Sequence, residues 1–91
     1  MKIKVGRKEF EASTIKTPNV SILVIVGKKG LLGCGYVNHI AGDKFGDAVA
    51  IVRGVNSYDD MLEATVAEVN GAAADLGVHV GMSGKDALAQ F

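Results

Sequence analysis

Two segments of the sequence are apolar on both faces of an extended strand, and this feature constrains the fold more than any other. Residues 20–26 and 48–55 are almost entirely hydrophobic and rich in β-branched side chains, with Arg53 as the exception. Because successive side chains of a strand point to opposite faces, both faces of these strands carry apolar groups. A strand of this kind lies inside a sheet that is covered on both sides.

Shorter patterns on either side extend the sheet. Lys2-Ile3-Lys4-Val5 alternates polar and apolar residues, as a half-buried strand does, and residues 9–16 continue as a second strand after a turn. Gly27-Lys28-Lys29-Gly30 is typical of a tight turn, so residues 31–37 are expected to return beside residues 20–26 as a hairpin. The patterns together predict about five strands.

The second half of the chain carries the helical signals. Residues 57–76 hold apolar side chains at helical spacing, Ser57 suits the N-cap position, and Gly77 suits the stop. A second cap at Ser83 precedes a short helix over residues 87–91. The sequence therefore predicts an α+β fold, in which a mixed β-sheet of about five strands is joined by one long and one short helix.

The length of the chain limits this fold to one domain that needs further covering. A chain of 91 residues builds one core, so residues 1–91 are expected to form a single compact α+β domain. One long helix covers only one face of the sheet. We therefore expect a homo-oligomer that buries sheet surface between subunits. The alternative is that the short helix and a loop over residues 39–47 cover the second face within one subunit.

The charges cancel overall but are unevenly distributed along the chain. Ten basic and ten acidic residues give no net charge, which argues against a general nucleic-acid binder. Residues 1–30 carry seven basic and two acidic residues, whereas residues 31–91 carry three basic and eight acidic ones. This distribution has three interpretations. The charged residues are simply solvated, the basic half forms a rim that attracts an anionic ligand, or the two halves form complementary faces that meet between subunits.

Signals for membranes, export and cofactors are sparse. The longest apolar run is residues 20–26, whereas a membrane-spanning helix needs about 20 residues. The first residues lack the apolar segment of a signal peptide. The single cysteine excludes an intramolecular disulfide and a multi-cysteine zinc site. We expect a soluble, cytoplasmic protein that binds neither membranes nor nucleic acid and requires no cofactor.

A glycine-rich hairpin is the leading candidate site for an anion. Gly27-Lys28-Lys29-Gly30 can direct backbone N–H groups and lysine charges at a phosphate or carboxylate, although it lacks the spacing of a P-loop. Gly33 and Gly35 fall on one face of the return strand, which predicts close approach by a helix, a second subunit or a ligand. The alternative for the turn is a hairpin tip with charged, solvated side chains.

Arg53 completes the predicted ligand-binding set. It interrupts the second apolar strand, and a buried guanidinium needs an anionic partner. That partner is either a structural carboxylate, such as Asp47 or Glu63, or the carboxylate or phosphate of a substrate. The predicted set therefore consists of the glycines and lysines of the hairpin together with this arginine, namely Gly27, Lys28, Lys29, Gly30, Gly33, Gly35 and Arg53.

Cys34 is the candidate nucleophile if the protein is an enzyme. Its flanking glycines leave room for a substrate, and His39 is the candidate base. The alternative is that Cys34 packs as a small hydrophobic residue, as cysteines commonly do. His39, Asp43 and Asp47 are a weak set of metal ligands, since a catalytic zinc takes three protein ligands, and no metal site is predicted.

Several motifs, taken in order along the chain, carry a family likeness. They are Ile22-Leu23-Val24-Ile25-Val26-Gly27-Lys28-Lys29-Gly30, Cys34-Gly35-Tyr36, Gly54-Val55 with Ser57-Tyr58-Asp59-Asp60-Met61-Leu62, and Gly77 with Gly81-Met82-Ser83-Gly84-Lys85-Asp86-Ala87-Leu88. Over roughly residues 18–91 the chain resembles the YunC-like family, small bacterial and archaeal proteins with a domain of unknown function. The resemblance implies a stand-alone, compact α+β domain and implies no activity. The family pattern usually has a basic residue where this chain has Asn56, which weakens an anion site in the loop before the long helix.

One leading hypothesis for the function and two alternatives follow. The leading hypothesis is a homo-oligomeric binding module for a small anionic ligand, held near the hairpin of residues 28–35 and completed across a subunit interface. The first alternative is an enzyme that uses Cys34 as its nucleophile. The second is a structural or regulatory subunit that acts through protein contacts. No motif in the sequence names a reaction.

Overall fold

The structure is a computed structural model, which describes residues 1–37 and 46–91. Within these described residues the chain forms six strands and three helices. In chain order they are β1 (Lys2–Val5), β2 (Lys8–Lys16), β3 (Ser21–Val26), β4 (Gly30–Gly33), β5 (Ala48–Val52), α1 (Tyr58–Glu63), β6 (Val66–Val69), α2 (Gly71–Asp75) and α3 (Gly84–Ala89). None of these helices is long and apolar enough to span a membrane.

The six described strands form one sheet in the order β1-β2-β3-β4-β5-β6. All neighbouring strands are antiparallel except β4 and β5, which run parallel. The predicted mixed sheet and α+β fold are confirmed, with one strand more than the five expected. β1 covers the four residues whose alternation predicted it, and β3 and β4 form the predicted hairpin. β4 is shorter than predicted, since the expected strand ran over residues 31–37 and the observed one is Gly30–Gly33.

The core lies between one face of the sheet and the helices. A row of directly paired residues crosses four strands, with Ala12 on β2, Ile25 on β3, Leu32 on β4 and Ala50 on β5. All four are buried, and they share one cluster with side chains of the helices and of the last residue, namely Met61, Ala73, Ala87, Leu88 and Phe91. Burial of apolar surface, at about 25 cal/mol per Å², is the main force that holds the helices on the sheet.

The close packing of α1 against α3 requires a glycine. A Cβ atom on Gly84 would overlap the backbone carbonyl oxygen of Met61 and would lie 3.1 Å from a methyl group of Leu32. A residue with a side chain would therefore push the two helices apart and disturb the core beneath them. The glycine allows α3 to lie directly on α1 and on β4.

The predicted helix caps are confirmed. Ser57 and Ser83 accept hydrogen bonds from the backbone N–H groups of Asp60 and Asp86, each at 3.1 Å. These bonds satisfy N–H groups that have no partner within the first turn of a helix. Gly77 has a φ of +94° and follows the end of α2, as a glycine stop does.

The single long helix predicted over residues 57–76 is wrong. The chain leaves α1 at Ala64, whose backbone is extended, and then forms β6 and α2. Thr65, Val66 and Val69 are β-branched and favour a strand. β6 pairs with the edge of β5, where it satisfies backbone groups that a helix would leave unpaired. The Asn-Gly pair after β6 is a turn signal and marks the start of α2.

Asn70 is a buried polar residue that joins the sheet to α2. Its Oδ1 atom accepts hydrogen bonds from the backbone N–H groups of Val49 and Ala73, both at 3.0 Å. Its Nδ2 atom donates to the carbonyl oxygen of Asp47 at 2.6 Å. One amide therefore caps α2 and satisfies the backbone on both sides of the first residue of β5.

The two strands that were expected to be covered on both faces differ from each other. All five residues of β5 are buried, as predicted. On β3, Leu23 and Ile25 face the core and are buried, whereas Ile22 and Val24 on the opposite face are half-buried and Val26 is exposed. One copy of the described chain therefore covers β3 on its core face, and the covering of the other face by a second subunit stays a prediction.

Asn70→Ala is expected to lower the free energy of unfolding by about 2–4 kcal/mol. The substitution removes the cap of α2 and leaves the Val49 N–H and the Asp47 carbonyl without their buried partner. Urea denaturation followed by circular dichroism measures the change. Asn19→Ala is the matched control, since Asn19 is exposed in a turn and its loss should cost less than about 0.5 kcal/mol. Equal costs for both variants would contradict the structural role of Asn70.

Candidate functional site

A surface depression of about 520 Å³ lies beside the ends of β4 and β5. We call it the Arg53 depression. Its size suits a small molecule. It brings together three residues that the sequence selected, which are Cys34, Gly35 and Arg53. The complete lining is Val20, Ser21, Cys34, Gly35, Tyr36, Arg53, Gly54, Val55 and Asn56.

The parallel pairing of β4 with β5 creates this depression. Gly33 at the end of β4 lies opposite Ile51 of β5, so residues 34–36 and 53–56 leave the sheet at the same edge. The carboxyl ends of parallel strands are frequent ligand sites, because the segments that follow them diverge and open a crevice. Gly54, with a φ of +70°, turns the chain after β5 in a conformation that other residues rarely adopt.

Arg53 lies one residue beyond β5, and its side chain is 58% exposed. The expectation of a buried guanidinium is therefore wrong. Its Nη2 atom forms an ion pair with Oε2 of Glu68 on β6, whereas the partners suggested by the sequence were Asp47 and Glu63. The sheet register explains the difference. Glu68 on β6 lies opposite Ile51 on β5, and Ile51 precedes Arg53 by two residues. Residues two apart on a strand share a face.

The two glycines at the end of β4 make room for side chains of the same chain. A Cβ atom on Gly35 would lie 3.3 Å from Nη1 of Arg53, so the guanidinium rests over this glycine. A Cβ atom on Gly33 would lie 2.6 Å from a methyl group of Val37. The close approach expected at both positions is present, but in the described structure the approaching groups are side chains rather than a helix or a second subunit.

Cys34 borders the depression from the core side. Its side chain is 5% exposed, and its Sγ atom accepts a hydrogen bond from the backbone N–H of Leu23 at 3.4 Å. The backbone N–H of Cys34 donates to the carbonyl oxygen of Leu23 at 3.0 Å, so β3 holds the cysteine through two contacts. The burial matches the packing alternative, and the position at the depression matches the nucleophile hypothesis. His39, the candidate base, lies outside the described residues.

Four backbone N–H groups at the depression form no hydrogen bond in the described part of the chain. They belong to Gly35 and Tyr36 after β4 and to Gly54 and Val55 after β5. Backbone N–H groups beside a guanidinium suit the oxygen atoms of a carboxylate or phosphate, because all these donors are positively polarised. The depression therefore presents hydrogen-bond donors of the kind that suits a small anion.

Apart from Gly33, the other residues of the predicted ligand-binding set lie at the opposite end of β4. The turn of residues 27–30 precedes this strand, whereas Cys34 and Gly35 follow it. A strand advances by about 3.3 Å per residue, so the two groups are separated by about 10 Å or more. The structure thus divides the predicted site into two sites.

The glycines of the turn are explained by packing. A Cβ atom on Gly27 would lie 2.8 Å from the ring of Phe10, and one on Gly30 would lie 2.7 Å from the ring of Phe91. Beside this turn lies a second depression, of about 490 Å³, which we call the basic depression. Its lining is Lys4, Arg7, Lys8, Glu9, Phe10, Lys28, Lys29 and Phe91.

The weak metal set is not assembled within the described residues. Asp47 is described, whereas His39 and Asp43 lie outside the described ranges. In residues 1–37 and 46–91, no three His, Cys, Asp or Glu side chains come together in a way that could hold a metal ion. The groups that the described candidate sites offer to a ligand are therefore arginine, lysine, thiol and backbone groups.

The roles of three residues at the Arg53 depression, Glu68, Gly54 and Asn56, were not predicted from the sequence. Glu68 was assigned to a long helix, from which it would not reach the end of β5. Gly54 carried a usable signal, because a glycine directly after an apolar strand commonly takes a positive φ. Asn56 was noted only as a departure from the family pattern, and its backbone N–H donates to Oδ2 of Asp60 at 3.0 Å.

Comparison with known proteins supports the family likeness. A family model described as a domain of unknown function (DUF1805) matches residues 33–91, which include Cys34, Gly35 and Arg53. Uncharacterized protein YunC of Bacillus subtilis (strain 168) is 32% identical over 90 residues, covering 94% of this chain and 89% of YunC. The crystal structure of TA1206, a protein of unknown function from Thermoplasma acidophilum, matches with a TM-score of 0.93 at 32% identity, over 99% of this chain and 88% of that one.

These matches confirm the resemblance to the YunC-like family and the α+β fold. They carry no activity over to this chain, because the relatives are themselves described as uncharacterised or of unknown function. The region matched by the family model begins at the last residue of β4 and contains the lining of the Arg53 depression except for Val20 and Ser21. The chain belongs to the family defined by the domain of unknown function DUF1805.

Proposed function

We propose that the protein is a binding module for a small anionic ligand, and that the ligand occupies the Arg53 depression. The observation that carries this proposal is the guanidinium of Arg53, which Glu68 engages through Nη2 while Nη1 rests over Gly35 at the depression. A carboxylate or a phosphate is the matching ligand group, because the planar guanidinium presents several N–H donors in a fixed fork.

The ion pair with Glu68 supports the proposal by orienting the arginine. A free arginine side chain loses rotamer freedom when it binds a ligand, and a side chain already held by a neighbouring carboxylate loses less. Glu68 occupies one side of the guanidinium, so the remaining donors stay available to a ligand. The backbone N–H groups of Gly35 and Gly54, which have no hydrogen-bond partner in residues 1–37 and 46–91, add further donors at the same depression.

Arg53→Met is expected to weaken anion binding by about tenfold or more. Methionine keeps much of the apolar stem but removes the charged hydrogen-bond donors, whose bonds are worth about 1.5–3 kcal/mol each. Titration with inorganic phosphate and with acetate, followed by NMR shifts of the backbone amides, measures the dissociation constant. Lys85→Met is the matched control, since it removes one positive charge at a residue that lines neither the Arg53 depression nor the basic depression.

The distribution of the NMR shifts supplies an independent criterion. Shifts centred on Gly35, Tyr36, Gly54 and Val55 support the proposed site. Unchanged affinity of the Arg53→Met variant, or shifts confined to another surface, would refute it. Absence of binding by both anions would leave the structural or regulatory subunit as the better hypothesis.

A thiol enzyme is a second candidate, because Cys34 lines the same depression and accepts a backbone hydrogen bond at its sulfur. Arg53 lines the same depression as the thiol. The candidate predicts that iodoacetamide alkylates Cys34 in the folded protein and that phosphate slows the reaction. Cys34→Ser is the control for labelling at other groups. A reaction at least about 100-fold slower than in the urea-unfolded chain would show a packed, unreactive thiol.

We also propose that the protein is a homo-oligomer in the cytoplasm. The unpaired Cys34 supports a reducing compartment. The sheet has an outer face, defined here as the apolar side chains of β2, β3 and β4 that point away from the helices. Ile15 is 63% exposed and Val26 is 42% exposed on this face. The face consists of Ile15, Ile22, Val24, Val26 and Leu31.

Charge complementarity favours a second copy of the chain as the occupant of the outer face. Its margin carries two pairs of oppositely charged residues, Lys2 opposite Glu11 and Lys4 opposite Glu9. A copy related by a two-fold axis presents the same apolar patch and can place its lysines against the glutamates of the first copy. An apolar surface of this kind is stabilised when a partner removes it from water.

Ile15→Lys is expected to convert the oligomer to a monomer, because it places a charge on an exposed apolar residue of the outer face. Analytical ultracentrifugation over a range of protein concentrations measures the molecular mass. Val80→Lys is the matched control, since Val80 is 57% exposed outside the outer face and should leave the mass unchanged. A wild-type chain that sediments as a monomer at millimolar concentration would overturn the proposal.

A further inference from the structure

The basic depression is a second site, independent of Arg53, and its charge is concentrated. Lys4, Arg7 and Lys8 come from β1, β2 and the turn between them, while Lys28 and Lys29 come from the turn between β3 and β4. Glu9 is the single carboxylate among the side chains that line it. We propose that this depression binds a compact oligophosphate, such as a triphosphate chain.

None of the five cations forms an ion pair within the described residues, although Glu9 lies opposite Lys4 in the pairing of β1 with β2. The ion pairs found there join Met1 to Glu11 and Arg53 to Glu68, and neither involves the basic depression. Lys8 is oriented by a hydrogen bond from its Nζ atom to the carbonyl oxygen of Ala89 at 2.7 Å. Gathered like charges raise the local positive potential, which a multiply charged anion relieves and a neutral molecule does not.

The turn of residues 27–30, which carries Lys28 and Lys29, is held in place by hydrogen bonds and packing. The N–H of Gly27 donates to the carbonyl of Gly30 at 2.8 Å, and the N–H of Lys29 donates to the carbonyl of Phe91 at 2.8 Å. A Cβ atom on Gly27 would lie 2.8 Å from the same carbonyl oxygen of Phe91. The turn is thus pressed against the core, and the lysine side chains project from a defined backbone.

The chemistry of the lining selects an oligophosphate over the other anions. Several positive charges around about 490 Å³ match several negative charges within one small molecule, whereas a single carboxylate would leave most of them unpaired. Phe10 and Phe91 are 3% and 2% exposed, so they offer almost no ring surface for stacking a nucleobase. Recognition therefore rests on the phosphate chain rather than on a base.

The double variant Lys28→Ala with Lys29→Ala is expected to bind tripolyphosphate at least about tenfold more weakly than the wild type. Isothermal titration calorimetry with sodium tripolyphosphate at low salt measures the dissociation constant. Lys16→Ala with Lys85→Ala removes the same charge outside the depression and is expected to bind normally. In the Arg53→Met variant, the NMR shifts of the Lys28 and Lys29 amides on addition of tripolyphosphate are expected to persist, which separates this site from the Arg53 depression. Circular dichroism verifies that each variant is folded.

Four outcomes would overturn the inference. An equal loss in the Lys16 and Lys85 double variant would show attraction by overall charge alone. Equally tight binding of orthophosphate would remove the requirement for several linked phosphates. Tighter binding of a single-stranded oligonucleotide, lost in the Lys28 and Lys29 double variant, would identify a nucleic-acid partner. No measurable binding of tripolyphosphate by the wild type would remove the site.

Discussion

The hydrogen bonds of Asn70 are the constraint on which the second half of the structure depends. β5 lies between its parallel neighbour β4 and its antiparallel neighbour β6, so an error at its start would disturb both pairings. Asn70 bonds to the backbone of Val49 in β5 and directly follows β6, which holds these two strands together. The resulting register places Glu68 beside Arg53. A buried amide of the core therefore determines the geometry of a surface site.

The strands were predictable from sequence wherever a local pattern agreed with the final packing. Alternation in β1 and the apolar run of β5 reflect burial that a neighbouring strand or a core enforces. The prediction of one helix over residues 57–76 was wrong, because apolar and alanine residues at helical spacing also suit two short helices separated by a strand. What favours the strand over one continuous helix is the pairing of β6 with the edge of β5, an interaction between residues that are distant in sequence. The β-branched residues and the Asn70-Gly71 pair were the local signals that opposed one helix.

The sequence identified several residues of the candidate site, but it did not show which of them lie close together in the fold. Cys34, Gly35 and Arg53 meet because β4 and β5 are parallel, and parallel pairing leaves no short turn in the sequence to reveal it. The hairpin turn with Lys28 and Lys29 was correctly placed on the chain, yet β4 carries it away from the cysteine. The position of Arg53 inside an apolar run suggested a buried side chain, but the side chain is exposed. The reason is that β5 ends before Arg53, at a point determined by Gly54 and by the bulged pairing with β6 rather than by hydrophobicity.

The two ends of the open sheet differ in how they resist the addition of another strand. An unpaired edge offers N–H and carbonyl groups to any extended chain, which promotes aggregation. β1 is a four-residue edge that carries Lys2 and Lys4, and charged residues oppose this pairing. On β6, Val66 donates to the carbonyl of Met82 at 2.8 Å and accepts from the N–H of Gly81 at 3.0 Å. The segment before α3 thus occupies that edge, and growth of the sheet into fibrils is disfavoured in both directions.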